Sequence, residues 1–387
     1  MLPPVWKLKR ELLRLAAQTA DIPRRIRERS VRAKYDSARW AKVKVTGTAQ
    51  AATDKYCVLL VYQQGAVPAS LIRTCKFMGA KGYNVIMVAN GGLHDSGRKS
   101  VIAHVWRLLE RPNFGYDFGG FRDAIHFLQR QQISPQNLVL MNDSVWFPMW
   151  TQSDVVERLE NAEYDATGLL FHVPTRNEYP DKKFTPFQVK KRAEHIESYV
   201  TMVPGKTFEH PAFKRFWDTY EQTDSKFLTI KRGEVGFSRA LGDAGLTVGA
   251  LSRRKSFLDA LQGCSDGFIE QTLRYAAYSD QVFAQECAAL LAAPRDEIWR
   301  KRALDHIGRV VKTRRFNASF CWATEQIFQT SFVKKNTDRL FQVGRIRFLD
   351  AVENGDMQCD NAEALAELRL VVAADRDELP KKAWRPH

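Results

Sequence analysis

The chain has 387 residues, of which 44% are hydrophobic and nine are tryptophan. That excludes a disordered protein and leaves room for one large domain with appendages, or for two. A formal net charge of +15 calls for an anionic partner (nucleotide, phosphate-bearing lipid, membrane surface or nucleic acid) without saying anything about fold. The six cysteines are scattered without a CxxC, and the eight histidines form no HxxxH or HExxH pair, which argues against a disulfide scaffold and a zinc site. No run of about eighteen apolar residues occurs, so no membrane-spanning helix is expected. The basic N-terminus lacks the apolar segment of a secretory signal, and a cytosolic protein is the expectation.

Residues 1–45 carry thirteen Lys/Arg against four acids. Val5, Leu8, Leu12, Leu13 and Leu15 fall near helical spacing beside Trp6, which predicts an amphipathic helix. Such a helix either rests on an anionic membrane surface at the inner leaflet or docks its stripe on its own domain. From residue 57 the texture changes. CVLLVY (57–62) reads as a strand, and ASLIRTCKFMGAKG as a helix with Leu71, Ile72, Cys75 and Met78 inward. NVIMVANGG (84–92) reads as a second strand, and strand, helix and strand at this spacing imply a parallel sheet with right-handed crossovers. Helices are predicted over SVIAHVWRLLE (100–110), FRDAIHFLQRQ (121–131) and SDVVERLENA (153–162), the last with Ser153 as N-cap. NLVLM (137–141) and YDATGLLF (164–171) read as strands.

This alternation predicts an α/β class, a Rossmann-type, mostly parallel sheet flanked by helices. A basic helical arm over 1–50 would precede an α/β domain over 51–255, and a helical region over 256–387 would follow. Residues 172–194, with basic clusters at 182–183 and 190–192, read as a loop over the sheet rim. HPAFKRFWDTY (210–220) places Phe213, Phe216, Trp217 and Tyr220 at helical spacing, a core stripe.

In such sheets, ligands sit at the carboxyl ends of the strands where strand order reverses. The loops after VYQQGA, VANGG and LMNDS fall at such ends. Asp143 in LMNDS stands where an oxygen-seeking cation or a sugar hydroxyl would meet it, and Mg²⁺ or Mn²⁺ beside a diphosphate is the expected cofactor chemistry; the alternative is an Asx turn. NFGYDFGG (113–120) reads as a loop whose glycines let main chain approach a ligand, or as a tight turn feeding a helix with Asp117 or Asp123 at its N-terminus. It fits no GxGxxG pattern, and VPGKT (203–207) lacks the first glycine of a P-loop.

NFGYDFGGFRDA, LMNDSVWFP, HIESYVTMV (195–203), HPAFKRFW (210–217) and GEVGFSRALGDAGL (233–246), in that order, resemble the bacterial rhamnan synthesis protein F family. The likeness runs over about residues 57–255, with an echo at NASFCW (317–322). The resemblance implies a glycosyltransferase of surface-polysaccharide assembly with a GT-A-like fold. A nucleotide-sugar donor and a glycan or lipid-linked glycan acceptor would be its partners, at the inner face of the bacterial membrane. Rhamnose is implied by the family name alone. On this resemblance the donor side takes Asn90, Asn113, Gly115, Asp117, Gly119, Gly120, Arg122, Asp123, Asn142 and Ser144. Asp143 would hold the metal or diphosphate, Glu234 would be the catalytic base, and His195 and Tyr199 would line the acceptor side. The sequence departs from the pattern at Ala89, where an acid would hold the nucleotide base. It also offers one carboxylate in Asn142-Asp143-Ser144 where two are usual, and it carries Phe147, Glu197 and Glu234 in place of Gly, Gln and Asp. A GT-A-like module that only binds glycan or a partner is the alternative. A nucleic-acid binder is disfavoured, because the charge is concentrated in the arm and no basic-aromatic RNA motif occurs.

Overall fold

Apolar runs too rich for a one-sided strand become the centre of a sheet. The computed structural model describes residues 27–47, 49–63, 65–173, 194–381 and 384. Among them are the strands β1 (Lys44–Thr46), β2 (Lys55–Val61), β3 (Asn84–Asn90), β4 (Arg107–Arg111), β5 (Asn137–Asn142), β6 (Val145–Trp146), β7 (Ala166–His172), β8 (His195–Ile196), β9 (Val200–Pro204), β10 (Val248–Arg253) and β11 (Val333–Lys334). β2 and β3 are buried almost throughout, since alternate side chains enter two different cores. Cys57, Leu59, Val61, Val85 and Met87 enter one core, while Tyr56, Val58, Leu60, Ile86 and Val88 enter the other.

The main sheet has the order β1-β4-β3-β2-β5-β9-β7-β10, with β8 beside β7. β2 to β5, β7 and β10 run one way, and β1, β8 and β9 run against them. The expected α/β class with a mostly parallel sheet is therefore present. The chain grows outward from β2 to β3 and β4, then returns to lay β5 against the other side of β2. Strand order thus reverses between β2 and β5, where such sheets bind ligands.

The helix Ala69–Ala80 buries Leu71, Cys75 and Met78 as the spacing predicts. The stretch 100–110 differs from its expected helix: a helix ends at Val101, a short 3₁₀ turn covers Ile102–His104, and Arg107–Arg111 is a strand. Short apolar runs satisfy both periods, and pairing with β3 and β1 decides between them. Before Val155–Glu160 the N-cap position belongs to Asp154, one residue after Ser153.

Phe213, Trp217 and Tyr220 are buried beside Phe118 and Phe237, so the aromatic stripe is core. Beyond residue 255 the chain is helical, as expected, but not a separate globule. Phe257, Ile269, Trp299, Ile307, Phe348 and Leu368 share one core with Cys57 and Met87 of the sheet. Of the basic arm, residues 27–37 are helical and dock on the domain through Tyr35, Asp36 and Arg39. Residues 1–26, which hold the Val5–Leu15 stripe, lie outside the described residues, as does 174–193 of the expected rim loop.

Candidate functional site

NFGYDFGG is a helix start rather than a phosphate loop. Gly115 turns the chain at φ 84, and the helix Tyr116–Arg130 begins at the next residue. A Cβ on Gly120 would stand 1.9 Å from Leu60 Cδ1, and one on Gly119 2.7 Å from the Phe114 carbonyl oxygen. Gly120 lets the helix approach β2 closely, and Gly119 leaves room for the Phe114 carbonyl and the Gln222 side chain at the helix start, so packing accounts for both glycines. Asn113 stays exposed at the rim, with its Cβ close to where a Gly91 side chain would begin.

Arg122, Asp123 and Asn90 are likewise drawn into the interior. Asp123 is fully buried and pairs with Arg111 at 2.6 Å and with Arg39 at 3.3 Å, while accepting from the Tyr35 hydroxyl. Arg111 also donates to Asn90 Oδ1 and, at 2.8 Å, to the Phe114 carbonyl. Arg122 donates to Asp36 at 2.6 Å and to the Trp217 carbonyl at 3.1 Å. Apart from Asp123 Oδ1, which makes no hydrogen bond, the polar atoms of these side chains are bonded inside the protein. Burial costs such charges heavily unless they are paired, which is why the cluster is this dense.

The remaining residues converge. Asp143 follows β5, its N–H donates to the Leu60 carbonyl at 3.0 Å, and its carboxylate accepts from Tyr62 N at 3.0 Å and Gln63 Nε2 at 2.7 Å. The Asn142 amide donates to Asp117 at 2.9 Å and to the Ser198 carbonyl at 3.2 Å, and its oxygen accepts from Ser144. The Ser198 hydroxyl donates to Glu234 at 2.7 Å, and His195 Nε2 lies 3.8 Å from the other Glu234 oxygen. A hydrogen-bonded line therefore joins Asp117, Asn142, Ser198 and Glu234 beside Asp143. Gly233 makes this possible, since a Cβ there would sit 2.5 Å from the Phe118 ring. Glu234 closes a π-helical turn, Ile230–Glu234, a widened turn common at functional sites.

Three cations and a carboxylate complete the region. β11 pairs with β6, setting Lys334 opposite Val145, and the N–H of Lys335 donates to the Ser144 carbonyl at 2.8 Å. Lys334 Nζ lies 3.3 Å above the centre of the Tyr199 ring. Glu197 pairs with Arg315 and accepts from the Tyr199 hydroxyl at 2.8 Å. Tyr199 is buried and its hydroxyl donates to Glu197, which it positions. Lys334, Lys335 and Arg315 escape sequence reading, because only the paired lysines after an apolar run mark them and that pattern is common.

Electrostatics follow from crowding. Burial pushes the Asp117 carboxyl up to about 7, helped by Asp143 and Glu234 and opposed by Lys334. Burial also raises Glu234, with Glu197 adding to it, and raises Asp143 against its hydrogen bonds. Burial would raise Glu197 too, but Arg315 and Lys334 outweigh it and hold it at about 2. Burial lowers Lys334 to about 8.

The divalent cation expected at Asp143 fits these residues poorly. One Asp143 oxygen is already bonded to Tyr62 and Gln63, and no group of three or more metal-ligating side chains occurs among the described residues. Lys335, whose charge is felt at Asp143, supplies positive charge there instead.

Because the folded-state value of Asp117 lies above its unfolded value, the stability it contributes is full in acid and lost as pH rises toward 7. Asp117→Asn is therefore expected to stabilise the protein by about 2 kcal/mol at pH 8, after allowing for solvent at the mouth of the site, and hardly at all at pH 4. Urea unfolding at the two pH values measures it. Equal effects at both would show that Asp117 carries no strained charge.

Residues 85–260 match the family model described as Rhamnan synthesis protein F, in agreement with the resemblance carried by the motifs. The chain is also similar to the uncharacterized protein y4gN of Sinorhizobium fredii (strain NBRC 101917 / NGR234), with 27% identity over 271 residues that cover 70% of this chain and 67% of the relative. The matched segment takes in β3 to β5, Asp117, Asn142, Asp143 and Glu234. The family links the chain to polysaccharide synthesis. No helix among the described residues is long and apolar enough to cross a membrane.

Proposed function

We propose that the chain is a glycosyltransferase of GT-A-like fold that moves a sugar from a nucleotide-sugar donor to a hydroxyl of a glycan or lipid-linked glycan. The observation that carries this reading is the hydrogen-bonded line from Asp117 through Asn142 and Ser198 to Glu234, beside Asp143 at the point where strand order reverses. It puts a raised carboxylate within reach of the place where such sheets hold a ligand. The order β4-β3-β2-β5 with the antiparallel β9 beyond it supports the fold assignment.

In the proposed reaction the acceptor oxygen attacks the anomeric carbon as Glu234 removes its proton. The bond from that carbon to the diphosphate oxygen breaks, and its electron pair leaves with the nucleoside diphosphate. Burial raises Glu234, and a carboxylate so raised is a stronger base than an ordinary one. Lys334 and Lys335 are placed to offset the charge that develops on the leaving diphosphate. Asp143 fixes the loop after β2 through Tyr62 and Gln63, and Asp117 faces the donor sugar. The basic residues of the arm other than Arg32 and Arg39, which pair with Glu221 and with Asp123, would hold the protein at an anionic membrane surface where such acceptors are anchored.

The direct test is thermal stabilisation by a panel of nucleotide sugars, with and without Mn²⁺. A true donor at a hundred times its dissociation constant adds about 2.7 kcal/mol, and the lysine-based site predicts the same shift without the metal. A panel with no stabilising member would favour the binding-only module.

A pH profile of kcat/KM gives a second check. Activity should rise as Glu234 loses its proton above the usual carboxylate range and fall near pH 8 as Lys334 loses its own. Lys334→Arg keeps the charge at any pH, so the alkaline limb should move upward in that variant. An unchanged alkaline limb removes Lys334 from the titration.

A further inference from the structure

Apolar side chains on a surface helix ordinarily face the core, and the helical run that carries Glu234 departs from that rule. Lys226–Thr229 leads without interruption into the π turn Ile230–Glu234 and then into Val235–Asp243. Leu228 and Thr229 supply its buried face, and Gly233 closes against the Phe118 ring. Phe227 and Ile230, three residues apart and so on one face, turn to solvent instead. Phe227 is 68% exposed and Ile230 39%. Single exposed apolar residues are ordinary, but a pair on a helix whose opposite face already fills the core calls for a partner.

Charge says what that partner is. The stretch 226–232 reads KFLTIKR, with three cations and no acid. Lys226 and Lys231 are exposed and flank the apolar pair. The basic arm lies alongside: Glu28 accepts from the Thr223 hydroxyl at 2.7 Å, and Arg32 pairs with Glu221 at 2.9 Å. Glu28, Arg32 and Tyr35 make the face of the arm helix that meets the domain, which leaves Arg27, Arg29 and Lys34 exposed. Glu221 and Asp224 are the acids of 221–232, and Glu221 is shared between Arg32 and Arg232.

An apolar tip flanked by cations suits an anionic bilayer, where the cations meet lipid phosphates and the tip enters the headgroup layer. The chain's own residues 1–26 make a poorer cover. They carry six Lys/Arg against two acids, so like charge opposes their docking on this patch and draws both toward the same anionic surface.

We infer that Phe227 and Ile230 enter the headgroup layer of an anionic membrane with Lys226 and Lys231 at its phosphates, so that the helical run bearing Glu234 meets the bilayer directly. Phe227 and Glu234 are about 10 Å apart along that run at the usual rise per residue, which opens the site close to the surface. The inference rests on the reading of the arm as a membrane contact and adds to it a second, apolar one.

Co-sedimentation of the full chain with vesicles of phosphatidylcholine and phosphatidylglycerol, and with vesicles of phosphatidylcholine alone, tests it. Wild type should bind the mixed vesicles and leave the neutral ones. Phe227→Ser/Ile230→Ser should bind at least about tenfold more weakly, through the apolar area lost. Lys226→Gln/Lys231→Gln should bind about thirtyfold more weakly at low salt. Both pairs are exposed, so circular dichroism and the urea midpoint should not move; the single Phe227→Ser variant serves if the double one does not fold. Wild-type affinity in Phe227→Ser/Ile230→Ser overturns the inference and leaves the arm as the membrane contact. A lowered urea midpoint beside that affinity shows that the chain itself covers the pair. Equal binding to the neutral vesicles overturns the inference too, and absence of binding by wild type overturns it together with the reading of the arm. The transferase reading is judged separately: a nucleotide-sugar panel that stabilises nothing would sink it while the vesicle result stood.

Discussion

Glu234→Gln is expected to lower kcat by about 10²–10⁴-fold, the usual contribution of a positioned general base. The substitution is isosteric, and the amide keeps a hydrogen-bonding oxygen for Ser198. Donor affinity should therefore hardly change, since in the proposed reaction Glu234 faces the acceptor oxygen and the donor lies toward Asp143. The variant should also be no less stable than wild type, because burial and Glu197 both disfavour the charge it removes. Single-turnover kinetics with a saturating donor separate this outcome from a loss of binding. Near-normal turnover would hand the proton transfer to another group, and Asp117, pushed up to about 7 in the same site, is the next carboxylate in line.

Asp123→Ala should act on stability instead, lowering it by about 3–5 kcal/mol. The side chain has no exposure, and its removal leaves the equally buried Arg111 guanidinium without its closest counter-charge. Tyr35 and Arg39 lose a partner in the same step, which loosens the docking of residues 27–42 on the helix Tyr116–Arg130. Urea unfolding measures the loss directly. The protein that remains folded should bind donor with near-normal affinity, because Asp123 does not reach the site. A loss under about 0.5 kcal/mol, the range of ordinary surface substitutions, together with a large loss of donor affinity, would restore Asp123 to the donor side.

These two residues illustrate how far local pattern carries. Both sit in motifs that the family resemblance marks, and both are acids near glycines. In Glu234 the motif delivers a side chain to the site, because Gly233 lets its turn close against Phe118. In Asp123 the motif serves packing, because two helical turns carry it past the rim and into the interior against Arg111. Spacing within a motif does not say which side of a helix start faces a ligand when the start itself is one residue from Gly115.

What local pattern does convey is burial and period. CVLLVY, NVIMVAN and NLVLM are apolar on both faces, so they had to be central strands, and a polar NDS after the last had to emerge at a carboxyl end. The α/β class, the helix Ala69–Ala80 and the core stripe at Phe213, Trp217 and Tyr220 follow from the same reasoning. Pairing across long separations is another matter. Lys335 reaches Asp143 only because Val333 pairs with Trp146 across 187 residues of chain, and Arg315 reaches Glu197 over a separation of 118. Such neighbours are chosen by strand order and by which faces remain to be covered. Those are properties of the assembled sheet, which no short stretch of residues contains.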